Sequence, residues 1–417
     1  MAARSTPAPS APNYTGPFIT VAILFAIFGF LTSLNNTLVK KLEDIFQLSH
    51  GPAMLATAAW FFAYLVFSVP SAKLIEKVGY KRTMVISLFI MVVGALLFIP
   101  AANLVSFPLT LFAIFVLASG VCALQTSANP YVSILGPEHS APARLTLAQA
   151  FNSIGSFAAP WVAAHFILSN SATVAAAGAA ATAHMLQGPY MAIAAALLLL
   201  GFAVMLMHLP AITATREFRP GSANDPVLNR SIWGFRHTVL GMLGIFFYVG
   251  LEIALAAITI QYCQEQGMTM VETAGNMLVL YYVGMMAGRL VGSAIMKWIK
   301  AQLMLVVLGL VGAALLLVSM TTHGPIAIWT LVLCGVANSI MYPTIFALGV
   351  AELGPLTSKG SGVLTIGNVG GAVIPPIFGL LADKIGIQYA FVVPIIAYLY
   401  VAYYGLAGYK PTRGERV

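Results

Sequence analysis

The residues able to do chemistry here are few, and they sit inside long apolar stretches. The stretch 246–256 places Glu252 near its middle, four residues after Tyr248 and so on the same helical face. Asp and Glu total 12 in the chain, and the others fall at segment ends or in loops. A carboxylate at bilayer depth costs roughly 2.5–3.5 kcal/mol on insertion scales, which makes Glu252 a functional residue by default. The alternative is a Glu bonded to a neighbouring helix as structural glue. Neutral amides recur at similar depth: Asn35 and Asn36, Gln125 and Asn129, Gln149 and Asn152, Asn276, Asn338 and Asn368. Tyr281, Tyr282, Tyr342 and Thr365 accompany them. An amide carries both donors and acceptors, which suits the hydroxyls of a polyol, and aromatic faces such as Trp60 or Tyr64 can pack on the apolar face of a sugar. An anionic substrate calls for buried Arg or Lys, and only Arg289 lies well inside such a stretch. Interhelical bonding by Asn and Gln, at about 0.6 kcal/mol each, is the structural alternative for roughly half of these residues.

The elements that must hold these groups are membrane helices. Hydrophobic residues make up 60% of the chain and charged ones 8%, too few charges for an ordinary water-soluble domain. Apolar runs long enough to span recur at 17–39, 53–76, 83–102, 107–135, 144–168 and 188–208. Six more follow at 237–262, 271–296, 302–321, 325–351, 361–382 and 387–408. The net charge of +8 does not indicate a nucleic-acid partner, because Lys and Arg collect in alternate loops. With both termini placed in the cytoplasm, that alternation is the positive-inside pattern. Cys122, Cys263 and Cys334 lack CxxC spacing and read as small core residues rather than a disulfide frame or metal site. There is no HExxH, GxSxG or paired-carboxylate pattern, so neither an enzyme nor a resident cofactor is expected.

The two sets of six spans resemble each other. Pro130 to Gly136 in the fourth span corresponds to Pro343 to Gly349 in the tenth, an offset of 213 residues (130 to 343). Asn152, Gly155 and Pro160 recur as Asn368, Gly371 and Pro376, offset by 216 (152 to 368). Repeated halves with a site at their interface are a transporter architecture. Kinks are expected at Asn129-Pro130, Tyr342-Pro343 and Pro375-Pro376. The expected organisation is a cytoplasmic tail at 1–16, bundles at 17–209 and 237–409, a cytoplasmic linker at 210–236 and a tail at 410–417. The Ala-rich stretch 172–183 reads as filler in an outer loop.

Loop 2–3, Ala72-Lys73-Leu74-Ile75-Glu76-Lys77-Val78-Gly79-Tyr80-Lys81-Arg82, resembles the G-x-L-a-D-r-x-G-r-k signature of the major facilitator superfamily. The resemblance implies an all-α fold of twelve transmembrane helices in two pseudo-symmetric six-helix bundles. It also implies that Glu76, Lys77, Gly79 and Arg82 form a latch that gates the outward-facing state. Loop 8–9 keeps Gly292, Lys297 and Lys300 but has Met296 in place of the acid, whereas 379–386 is a cleaner echo. Residues 17–408 are further similar to the fucose–proton symporter family, and more closely to its bacterial glucose/galactose branch. The stretches that carry this are 124–132, 147–153, 342–346, Tyr248-Val249-Gly250-x-Glu252 and Gly284-Met285-Met286-x-Gly288-Arg289. Fucose symporters carry acids where this chain has Asn36 and Gln125, and an amide cannot carry the proton. The resemblance leaves Glu252 as the candidate coupling residue, with a sugar-binding carboxylate as its other reading.

The expectation is a hexose transporter of the bacterial inner membrane, monomeric, working by alternating access. Asn36, Gln125, Asn129, Gln149 and Asn152 contribute from one half, and Glu252, Tyr281, Asn338 and Asn368 from the other. Co-transport of Na⁺ or H⁺ is favoured over facilitative uniport, because a costly intramembrane acid persists. A drug or metabolite exporter of the same fold is the further alternative. Which hexose binds is left open.

Overall fold

The computed structural model describes residues 15–46, 50–162, 187–207, 209, 230–268 and 270–411, and of these only the backbone at 35–46, 50–54, 160–161 and 271–272. Residues 1–14, the stretch 172–183, most of the linker and the end of the C-terminal tail therefore lie outside the described residues, as does the Asn36 side chain. Among the described residues there is no strand. A chain surrounded by hydrocarbon must satisfy its backbone within each segment, and helices do so.

The first half comprises α1 (Thr15–Phe46), α2 (His50–Asn103), α3 (Phe107–Ile134), α4 (Ala141–Val162) and α5 (Gln187–Leu206). The second comprises α6 (Arg236–Glu265), α7 (Val271–Ile295), α8 (Ala301–Thr321), α9 (Pro325–Asn338), α10 (Met341–Gly349), α11 (Thr357–Ile366) and α12 (Gly370–Ile385). It ends with α13 (Ile387–Ala390) and α14 (Val392–Tyr403), the latter closing in a π turn at Tyr404–Gly408. Among the described residues, ten helical stretches are long and apolar enough to cross a membrane. One of them, Leu55–Asn103, is 49 residues long and holds two spans joined at Gly79. Helix α4 is not among the ten, because Arg144, Gln149, Asn152 and Ser153 lower its hydropathy, yet it packs along α1 as a full helix of 22 residues. With both adjustments the described residues form twelve spans.

Close helix approach recurs in both halves, in the second at Gly370, one residue before Gly371, the offset partner of Gly155. Helix α4 lies so close on α1 that a Cβ on Gly155 would fall 1.8 Å from Ala26 O. In the other half α12 meets α6 the same way, with a Cβ on Gly370 falling 1.9 Å from Phe246 O. Such backbone-to-backbone approach is how membrane helices gain packing energy without a hydrophobic driving force. Gly155→Val forces α1 and α4 apart, and its expected result is a loss of folded protein by size-exclusion chromatography in detergent, where a Val at Gly188, which has open space around it, changes little.

The loop signature also folds as a repeated unit. Gly79 has φ 82° and ψ 168°, and Gly386 in the 379–386 echo has φ 88° and ψ 154°. This region is open to glycine and strained for other residues. The kinks differ from expectation in position. Helix α3 runs unbroken through Pro130. The tenth span breaks at Ser339–Ile340, one turn before Pro343, where the missing proline N–H leaves a carbonyl without its helical donor. The eleventh breaks at the 3-10 turn Gly367–Val369, ahead of Pro375 and Pro376, which lie inside α12.

Candidate functional site

Glu252 is 16 residues into α6, about 24 Å along a helix rising 1.5 Å per residue, and so near the middle of a helix of 30 residues. It is half-buried and faces Tyr248, one turn earlier, with the Arg289 guanidinium of α7 in electrostatic reach. The Tyr248 ring lies 6.2 Å from the Tyr342 ring, centroid to centroid, and Tyr342 stacks on Phe346 at 6.3 Å. Tyr342 in turn is the acceptor for two amides of the opposite half. Gln125 Nε2 donates to its Oη at 2.8 Å and Asn129 Nδ2 at 3.3 Å. Asn129 and Tyr342 are 213 residues apart (129 to 342), the repeat offset, so equivalent positions of the two halves meet at the interface.

A line of polar groups thus crosses from α3 through Tyr342 and Tyr248 to Glu252. Several of its atoms meet no hydrogen-bond partner within the protein. Gln125 Oε1, Asn129 Oδ1 and Tyr248 Oη are buried in this condition, as are Gln149 Nε2 on α4 and Thr344 Oγ1 on α10. Leaving one such group unpaired costs about 1–3 kcal/mol, so a concentration of them marks where ligand hydroxyls or water complete the bonding. Acceptors and a donor are both represented, and none of the five is charged. That set fits a neutral, hydroxyl-bearing solute.

Other residues expected at the site are already committed. Asn338 is fully buried between two tyrosines of its own half, its Nδ2 donating to Tyr281 Oη at 2.6 Å and its Oδ1 accepting from Tyr398 Oη at 2.7 Å. Asn338→Leu strips both phenols of their partner, at about 1–3 kcal/mol for each group left unsatisfied. The expected result is a lower unfolding temperature in detergent; lowered sugar affinity with unchanged stability would instead make Asn338 a ligand. Asn152 Nδ2 donates to Phe25 O at 3.2 Å, tying α4 to α1, and Asn368 Nδ2 donates to Thr365 O at 2.8 Å beside Tyr342. Trp60 and Tyr64 are buried in the core cluster that both halves share, Tyr64 6.3 Å from Phe61 and within electrostatic reach of Tyr342.

Arg289 is buried as well, and its donors go to Ser339 O, Gln149 O and Ser153 Oγ, at 3.1, 3.0 and 2.6 Å. The latter two belong to the opposite half. Further cross-half contacts gather at the end of the bundle that carries the basic loops. Ser358 Oγ donates to Glu76 Oε1 at 3.3 Å, the Glu352 N–H to Glu138 Oε1 at 3.1 Å, and Ser361 Oγ to Thr126 O at 2.6 Å. Of the loop signature, Glu76 thus reaches the other half, while neighbouring Lys81 binds Met205 O at 2.8 Å within its own. Tyr342 and Arg289 are the residues whose place at the interface sequence reading missed. The 213-residue offset linking Asn129 to Tyr342 was the available signal for the first, and a cation inside an apolar span for the second.

Two helical bundles meeting around uncharged polar groups at membrane depth define a membrane transporter of the repeated-half type rather than an enzyme. The family profile described as Major Facilitator Superfamily matches residues 21–368. The chain belongs to that superfamily. It is 41% identical over 403 residues to a glucose/galactose transporter of Brucella abortus, covering 96% of each chain. It is 32% identical over 388 residues to an L-fucose-proton symporter of Escherichia coli, covering 90% of this chain and 88% of that one. Among solved structures, the fucose transporter FucP in the outward conformation superposes with a TM-score of 0.84 at 31% identity, covering 94% of this chain and 98% of the other.

Proposed function

We propose that the protein moves a monosaccharide of the glucose or galactose type across a bacterial inner membrane by alternating access, together with Na⁺ or H⁺. The observation that carries this reading is the cluster of buried, uncharged polar atoms without protein partners at the interface of the halves: Gln125 Oε1, Asn129 Oδ1, Gln149 Nε2 and Tyr248 Oη. They supply hydrogen bonds in both senses, as sugar hydroxyls require. The relatives named for glucose/galactose and fucose transport narrow the class to monosaccharides.

Gln125, Asn129 and Gln149 bind the sugar from the first half and Glu252 and Tyr248 from the second. Asn36, Asn152, Trp60 and Tyr64 shape the first-half wall, and Tyr281, Asn338 and Asn368 support the second. Glu252 is the coupling residue, since it is a carboxylate at mid-depth beside the polar line, and the L-fucose-proton symporter is a coupled relative. The basic loops, including Lys77 and Arg82 of the gating signature, face the cytoplasm with both termini, following the positive-inside rule. Closure at that end, through Glu76 and Ser358 among other pairs, corresponds to the outward-facing state, the conformation named for the FucP structure. The transporter acts as a monomer within the lipid bilayer. Competition among monosaccharides for uptake, run with and without Na⁺ at two pH values, tests both substrate and coupling. Uptake that never exceeds equilibration under either gradient overturns symport and leaves uniport.

A further inference from the structure

The eleventh span divides at the 3-10 turn Gly367–Val369, and its two parts meet the opposite half differently. Before the turn, α11 lies tight on α2: a Cβ on Gly362 would fall 2.7 Å from Ala72 Cβ and 3.0 Å from Ser68 O. After it, Gly371 is held between Phe61 of α2 and Ile253 of α6, a Cβ there falling 2.5 Å from Phe61 Cζ and 2.6 Å from Ile253 Cδ1. Beside that contact a cavity of about 400 Å³ opens between the halves. Phe61, Phe62 and Leu65 of α2 and Leu111 of α3 line it from the first half, and Val369 and Ala372 from the second. Every lining side chain is Leu, Ala, Phe or Val. Leu55, Phe62 and Leu65 are exposed, so the cavity opens on the surface of the bundle.

Its depth follows from the helix rise. Leu65 is 14 residues (65 to 79) and Leu55 24 residues (55 to 79) from Gly79 in the basic loop, about 21 and 36 Å at 1.5 Å per residue. Leu111 is four residues (107 to 111) from the start of α3, about 6 Å from the other end. Against a hydrocarbon core of about 30 Å, the cavity runs from mid-depth to the face opposite the basic loops. Water does not settle in an apolar cavity, and a sugar finds no hydrogen-bond partner there. A peptide strand would leave its backbone unsatisfied at that depth, and 400 Å³ holds less than one turn of a helix about 10–12 Å across. An acyl chain has neither polar groups nor that girth. It is the species at hand in the bilayer, and it restores the dispersion contacts that an empty lining forfeits.

We propose that one acyl chain of a phospholipid, from the leaflet opposite the basic loops, lodges in this cavity as a wedge between the halves. Both halves form its walls, so an occupied cavity holds them apart at that end, and closing there expels the chain. A molecule that binds one of two conformations shifts the population toward it. Occupancy of the cavity is independent of what the protein carries. The wedge rests on the alternating-access reading, and two experiments separate them.

The first is photolabelling of the full-length protein in vesicles of phosphatidylethanolamine and phosphatidylglycerol, doped with a phosphatidylcholine that carries a diazirine near the end of one acyl chain. Modified residues are mapped by mass spectrometry. Labelling at 61–65 and 369–372 is expected about tenfold above that around Leu310, a comparably exposed residue midway along α8, a preference of 1.4 kcal/mol. Ala372→Phe fills the cavity from the second half and Ala59→Phe from the first. Each brings labelling of the lining down to the Leu310 level and leaves Leu310 itself unchanged, and either carries the test if the other does not fold. Labelling of the lining no stronger than at Leu310 means ordinary surrounding lipid only and overturns the site. The second experiment is counterflow of radiolabelled glucose or galactose in the same variants, whose rings stay where the chain comes and goes. They are expected to slow it about tenfold with sugar affinity unchanged. Counterflow at the parent rate overturns the wedge. Absence of counterflow in the parent defeats the transport reading and the wedge with it, while the labelling still decides the site.

Discussion

Glu252→Gln abolishes accumulation of sugar and leaves sugar exchange in place. Glutamine keeps the length and the acceptor oxygen of the glutamate, so hydrogen bonds to a sugar hydroxyl survive in kind. What it removes is the charge, and with it any means of taking up a proton or ligating Na⁺ as an anion. In proteoliposomes under an inward cation gradient the accumulation ratio is expected to fall to about one, while counterflow stays within about tenfold of the parent, a change of at most 1.4 kcal/mol. Loss of exchange along with accumulation makes Glu252 a sugar ligand rather than the coupling group.

Gln125→Leu acts on the opposite wall and on affinity. Gln125 is the closer of the two amides on Tyr342 Oη, at 2.8 Å, and its Oε1 is one of the buried acceptors facing no protein donor. Leucine fills the volume but leaves a sugar hydroxyl unpaired in a buried site, at about 1–3 kcal/mol. The expected result is a Kd raised roughly 5- to 150-fold by equilibrium binding. The fold is expected to tolerate it, because Tyr342 keeps Asn129 as a donor. Unchanged affinity removes Gln125 from the site.

Much of this architecture was legible in the sequence. The apolar runs marked the twelve spans, including α4, which hydropathy alone passes over because its polar face belongs to the interface. The offset prolines and glycines marked the repeat, although the glycine that lies against a carbonyl of α6 is Gly370 rather than Gly371, the offset partner of Gly155. The partner of each polar group was less legible. A helix that is apolar nearly all round has no strong periodic signal to orient it. Asn338 and Gln125 are equivalent by offset (125 to 338) and read alike in sequence, yet the first is enclosed by Tyr281 and Tyr398 and the second faces across the interface. Arg289 is a further case. In sequence it argued against an anionic substrate and stood in a stretch that carries the family resemblance; its bonds to Gln149 O and Ser153 Oγ join distant residues that spacing does not relate.

Asn36 shows the limit from another direction. The resemblance to fucose symporters aligns it with an acid of that family, and its side chain lies outside the described residues, so its role rests on the sugar assays. In the proposed reading Glu252 is the carboxylate on which coupling depends.

The most direct test of the account is counterflow with radiolabelled glucose, galactose and fucose in proteoliposomes loaded with the unlabelled sugar. Counterflow reports binding and alternating access without any gradient, and so tests transport apart from coupling. The expected result is transient accumulation of label for glucose or galactose, competed by the unlabelled hexose and weakened in Gln125→Leu. Absence of exchange for every monosaccharide contradicts the account.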